Sequence, residues 1–278
     1  MARFLLQVKR KPTLLQPIKT GNFMKHSIAK LTLVGALIAP SLSFAASVGG
    51  VTWNEASGFD LTFNGTIWEN DVNTVGDIVT VYGTVSNING ITNFVSAGSE
   101  LSYFGTYTLA NAGDFDGDTK GEAIFNLATL SFYVDPTADF DASNSATAND
   151  GNLWLTLTGH DYAAFGAVNG LGSILAELNG ASISATGDTG GGYGAWDVTG
   201  GVAAPFFDTN TIDVINGISV GATNADFTFS DSFQPAGVPG LLTGTGELRG
   251  KTASVPEPGS LLLLSVGLLG MGLRKNYR

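Results

Sequence analysis

The residues of this chain best suited to chemistry are acidic. In Asp114-Phe115-Asp116-Gly117-Asp118-Thr119-Lys120-Gly121-Glu122, three aspartates occupy alternate positions and Glu122 follows the last of them. Side chains spaced in this way can converge on one hard cation, and calcium takes about six to eight oxygen ligands. The run is not an EF-hand loop, which would place glycine where Thr119 stands and glutamate where Phe125 stands. Two readings stay open: a calcium site made by Asp114, Asp116, Asp118 and Glu122, or an acidic solvated turn between strands. Calcium is the only cofactor the sequence suggests. A looser group, Asp135, Asp139, Asp141 and Asp150, lies in a Ser/Ala/Asn/Thr-rich segment and reads as polar loop.

The other candidates for chemistry are weaker. There is no cysteine, which removes disulfides, thiolate metal sites and cysteine nucleophiles. His160 has many serines for company, but no Gly-x-Ser-x-Gly elbow marks one as a nucleophile. No carboxylate pair is singled out by spacing for glycoside cleavage. Gly190-Gly191-Gly192 is followed by neither the lysine nor the helix of a phosphate cradle. Trp53, Trp68, Trp154, Trp196 and Tyr193 could stack on sugar rings, although strand aromatics usually pack in cores. Trp154 alternates with Leu153, Leu155 and Leu157, so it should lie on the opposite, outer face; Trp196 follows a glycine-rich stretch. These two are the carbohydrate-contact candidates. The expectation is a protein that is not an enzyme.

The elements that must position these residues read as strands. Asn-Gly or Asp-Gly stands at residues 64, 89, 116, 150, 169, 179 and 216, and these pairs accept the positive φ of hairpin turns. Apolar residues alternate around them: Phe59, Leu61 and Phe63 before Asn64, Val79, Val81 and Val85 before Asn89, and Ile212, Val214, Ile218 and Val220 around Asn216. Ala123 to Val134 is a longer apolar run suited to a central strand covered on both faces. Leu171, Ile174, Leu175 and Leu178 fit helical spacing, but Ile174, Ala176 and Leu178 also fit the first arm of a hairpin, with Ala181, Ile183 and Ala185 as its second. The hairpin is the preferred reading. Gly187 to Gly201 reads as the most flexible loop. The expected fold is all-β, a single antiparallel sandwich or jelly-roll-like domain over residues 46–252, flanked by a signal-peptide helix and a C-terminal transmembrane sorting helix.

Charge separates that body from its ends. The 278 residues carry 13 Lys and Arg against 24 Asp and Glu, yet only Lys120, Arg249 and Lys251 fall between Ser47 and Gly259, where all 24 acids lie. Such a body repels nucleic acid and anionic lipid and attracts divalent cations. Residues 1–23 read as a basic extension ahead of a second start, or else as a long n-region. Lys25 and Lys30 precede the apolar run Leu31 to Ala39, Pro40 breaks it, and Ser43-Phe44-Ala45 offers small residues for signal-peptide cleavage after Ala45. At the other end, Pro256-Glu257-Pro258 holds the chain extended, an uncharged run follows from Ser260 to Leu273, and Arg274, Lys275 and Arg278 form a basic stop. As a helix that run rises about 21 Å, short of a roughly 30 Å hydrocarbon core.

This order of motif, apolar run and basic end over residues 253–278 resembles the PEP-CTERM sorting signal of Gram-negative surface and extracellular proteins. The resemblance implies export through the secretion translocon, trimming by signal peptidase, and removal of the tail near Pro256-Glu257-Pro258 by an exosortase. Ala195-Trp196-Asp197-Val198-Thr199-Gly200-Gly201 and Phe206-Phe207-Asp208-Thr209-Asn210 look like flocculation-associated members of that group. They imply a structural or adhesive role in exopolysaccharide-associated aggregation or biofilm. A carbohydrate-binding module and a secreted hydrolase are the alternatives.

Overall fold

Alternating inward and outward side chains set the architecture. A computed structural model describes residues 46–54, 59–163, 166–180 and 188–253. The signal-peptide and sorting-tail expectations, including Ala45 and Pro256, Glu257 and Pro258, lie outside the described residues. The strands are β1 (Ala46–Val48), β2 (Val51–Trp53), β3 (Leu61–Asn70), β4 (Ile78–Ile88), β5 (Glu100–Gly113), β6 (Glu122–Asp135) and β7 (Asn152–Gly159). They continue with β8 (Ile174–Leu178), β9 (Gly190–Gly200), β10 (Val214–Ile215), β11 (Ile218–Ser219), β12 (Phe227–Pro235) and β13 (Leu241–Gly250). A four-residue helix, α1, spans Ala204–Phe207.

Nine of these strands form one antiparallel sheet in the order β12-β13-β3-β4-β5-β6-β7-β9-β8, and β12 pairs with β9 as well. That extra pairing closes the sheet. β7 and β8 share one position in the ring. β6 meets β7 through Thr129–Val134 and β8 through Glu122–Phe125, while β9 meets β8 through Gly190–Gly194 and β7 beyond it. The result is an up-and-down barrel with eight strand positions. The all-β expectation holds, and the sandwich or jelly roll is corrected to a closed barrel. Closure leaves no unpaired edge in the ring, which a sandwich of two sheets would expose.

Departures from strict alternation bend the sheet at several register shifts. Asn64-Gly65, expected as a hairpin turn, lies inside β3 at a register shift against β4. Leu127 has φ +51 and is 74% exposed at a second irregularity, between β5 and β6. Such bulges add local twist and coil, as closure demands. The glycine-rich stretch expected as a flexible loop is instead β9, the strand that closes the ring. A Cβ on Gly190 would come 2.2 Å from the Glu177 carbonyl, and one on Gly194 would come 2.4 Å from that of Ser173. Glycine serves close packing here rather than freedom. Asn89-Gly90 and Asn216-Gly217 do form turns, with φ of +52 and +76 and of +49 and +80. Ile174–Leu178 is a strand, as preferred; the proposed second arm at 181–185 lies outside the described residues.

The interior is filled by side chains, among them Phe63, Ile67, Tyr103, Tyr107, Phe125 and Phe132. Eight strands enclose about enough room for side chains alone. One end is plugged by aromatics: Trp53 and Trp154 pack on Phe207 with ring centroids at 5.0 and 5.6 Å, and Phe227 lies 5.8 Å beyond. The β1–β2 hairpin lies across this end, and the Ala253 N–H bonds the Phe206 carbonyl there at 2.7 Å. The described chain therefore begins and finishes at the aromatic end. The β5–β6 connection sits at the opposite, far end. Outside the wall, Ile124, Tyr162, Leu175, Ala195, Ile212 and Ile215 form a second cluster covered by the β10–β11 segment. This is why β6 is apolar on both faces at its start.

Candidate functional site

β5 and β6 are paired to their ends, Gly113 against Glu122, so the eight residues between them form a tight loop. Within it, carboxylate oxygens of Asp114, Asp116, Asp118 and Glu122 all lie within 4.8 Å of one another. Backbone amides hold the aspartates in place. Asp114 accepts from the N–H of Gly117 at 2.7 Å and of Thr119 at 3.2 Å, Asp116 from Asp118 at 3.1 Å, and Asp118 from Lys120 at 2.8 Å. Thr119 adopts φ +75, the left-handed turn for which glycine would be the ordinary choice. The loop is fastened to β8 by two backbone hydrogen bonds of 2.8 Å, Gly121 to Gly180 and Leu178 to Gly121. Lys120 pairs with Glu177 and lies 3.6 Å from Asp118.

Glu122 differs from its three neighbours. The aspartates are exposed, whereas Glu122 is only 1% exposed. Its Oε2 accepts the Phe115 N–H, but its buried Oε1 has no hydrogen-bond partner. Burial raises its pKa, the Phe115 bond opposes this, and the charges of Asp116, Asp114 and Asp118 raise it further. The segment is a turn between strands, and it gathers all four carboxylates at one point.

Two further acidic groups appear. Asp135 and Asp139, expected in a plain polar loop, join Glu100 with carboxylate oxygens within 4.8 Å. Asp150 shares a hydrogen bond with Asp135, while Asp141 turns away to Ser143. The second group was missed entirely by sequence. Glu69 is 5% exposed on the inner wall, where the Tyr107 hydroxyl donates to it. Asp231 lines the same interior void of about 40 Å³ and accepts the Gly192 N–H. Burial, then the charge of Asp231, pushes Glu69 up to about 8, against the Tyr107 hydrogen bond; burial likewise raises Asp231. The available signal was phase. Glu69 is two residues from Ile67 on β3, and Asp231 alternates with Phe227, Phe229 and Phe233 on β12, so both had to point inward.

The two carbohydrate-contact tryptophans are corrected. Trp154 and Trp196 are 1% and 2% exposed, with no ring face open to a sugar. The β6–β7 register shifts where Phe132 faces Leu155 and Tyr133 faces Leu153, so Trp154 is the extra residue. That slip reverses the alternation, turning Leu153 out and Trp154 in, where its Nε1 donates to the Val48 carbonyl at 2.8 Å. Trp196 sits in β9 with an inward ring against Phe229. His160 is buried as well, its Nδ1 2.9 Å from both Asp197 oxygens and its Nε2 3.1 Å from the Val220 carbonyl. Asp226 accepts backbone N–H groups of Val198, Thr209 and Asn210 at 2.6–2.7 Å. Both residues hold the outer segment to the wall.

The tail bears on how the molecule is handled. A family model described as the PEP-CTERM protein-sorting motif matches residues 254–276. The chain carries a PEP-CTERM sorting signal. Comparison with curated proteins and with solved structures finds no match. Such a motif implies an exported protein sorted by an exosortase, secreted or at the surface of a Gram-negative cell, with a C-terminal membrane anchor before processing. The motif covers Pro256, Glu257 and Pro258 and ends just before Tyr277.

Proposed function

We propose that this PEP-CTERM protein is a non-enzymatic structural or adhesive component of the cell surface or extracellular matrix, acting with exopolysaccharide in cell aggregation. The observation that supports this most is a barrel whose interior is taken up by its own side chains. Two of its interior voids measure about 50 and 40 Å³. A void of that size accommodates about one or two waters and no sugar residue. The buried carboxylate Glu69 faces such a space rather than an open cleft, which disfavours the hydrolase reading. The sorted, acidic exterior is what remains to act. The test is a deletion of this chain in its host, read by settling of cells and by matrix yield. Loss of aggregation restored by the wild-type chain is the expected outcome; unchanged aggregation overturns the role.

A carbohydrate-binding module is the second reading, and a different feature favours it now that the tryptophans are buried. A polar trough crosses the outer wall, lined by Asn64, Thr66, Ser86, Asn87, Ser232 and Thr245. Retardation of the protein in an exopolysaccharide gel, lost in Asn87→Ala/Thr245→Ala, would select it.

A further inference from the structure

We infer that the loop between β5 and β6 is a calcium site, with Asp114, Asp116, Asp118 and Glu122 as its protein ligands. Exposed acidic residues gather on many proteins without an ion. The deciding observation here is Glu122. A carboxylate oxygen that is buried without a hydrogen-bond partner loses its hydration with nothing in return, and native structures rarely leave one so. The same carboxylate brings an oxygen within 4.8 Å of one from each of the three aspartates, which are equally close to one another. More negative charge around it deepens the cost, whereas a cation between the four groups removes it.

The donor set identifies the class of ion. All four side chains offer only carboxylate oxygen, which suits hard cations and not zinc or copper, whose preferred nitrogen and sulfur ligands are missing from the loop. Four carboxylates in nine residues, with carbonyls and water to complete the shell, suit the large and adaptable coordination of calcium. Magnesium demands a tighter octahedron and gives up water reluctantly. Lys120 does not replace the ion. It reaches only Asp118, at 3.6 Å, and is otherwise engaged with Glu177 outside the cluster. The ion has a mechanical consequence, because Gly121 is bonded to both Gly180 and Leu178. Fixing the loop also fixes β8, which occupies half of one strand position in the ring.

The experiment is thermal unfolding of the full chain in detergent, with EDTA, with calcium chloride and with magnesium chloride, so that it does not depend on tail processing or on any role in aggregation. Calcium at about 100-fold over its dissociation constant should raise Tm by roughly 5–10 °C. In Asp116→Ala that shift should disappear while the Tm in EDTA stays close to wild type. Glu122→Gln keeps the shape and removes the buried charge; it should unfold at a higher temperature than wild type in EDTA yet lose the calcium response. The same calcium shift in wild type and Asp116→Ala, or none in wild type, overturns the site. An equal shift with magnesium overturns its assignment to calcium.

Discussion

At the scale of single residues, the molecule is defined by acids placed where water does not reach. Glu69 has an ordinary pKa of 4.5 and is held at about 8 inside the barrel, chiefly by burial. A carboxyl raised on folding binds its proton more tightly in the native state, so its contribution to stability is complete below its free value and is lost as pH rises through the folded one. Stability to urea should therefore fall between pH 4.5 and about 8. Glu69→Gln, which stays neutral, should flatten that fall, leaving the smaller contribution of Asp231; equal slopes in the two proteins would refute the assignment. Trp154 gives a second test. Its ring packs on Trp53, Phe63 and Phe207, so Trp154→Ala should cost about 3–5 kcal/mol of unfolding free energy by denaturant titration. A tryptophan displayed for sugar would cost far less.

At the scale of elements, the sequence was legible where local chemistry decided the outcome. Asn89-Gly90 and Asn216-Gly217 turn because asparagine and glycine tolerate positive φ, and the alternation around them is a true strand alternation. It was illegible where distant strands decided. Asn64-Gly65 has the same composition as a turn, yet β13 and β4 pair with both sides of it and draw it into a continuous strand. Trp154 was assigned to the outer face by a period that a bulge interrupts, and no local signal marks the bulge. The run from Thr189 to Gly194 has the composition of a loop, but Gly190 and Gly194 sit under the carbonyls of Glu177 and Ser173. Gly194→Ala should cost about 1–3 kcal/mol by denaturant titration, because backbone rather than a flexible side chain lies in the way. Gly180→Ala, where nothing lies within 4 Å, should be close to neutral. Equal effects would show that β9 is not held as described. For the acidic loop, the spacing of Asp114, Asp116 and Asp118 was visible in sequence. The burial of Glu122 was not, because it follows from pairing across β5, β6 and β8.

At the scale of the whole molecule, the sorting motif and the barrel have separate duties. The motif over residues 254–276 directs handling, and its removal should leave the barrel's stability unchanged. Replacing Pro256, Glu257 and Pro258 by alanine should leave full-length chain in the inner membrane. Mass measurement of the released protein reads this directly: wild type should lack Arg278, and release of the variant at the same shortened mass would contradict the assignment. The closed ring also explains how a chain without cysteine can persist outside the cell. Its stability comes from many paired strands and one aromatic plug, so no single covalent link is needed.

Because the described chain enters at Ala46 and departs at Ala253 beside the same plug, the barrel has a stem and a crown. The point at which the chain passes on from Ala253 is thus in the stem, at the opposite pole from the crown and its aspartates.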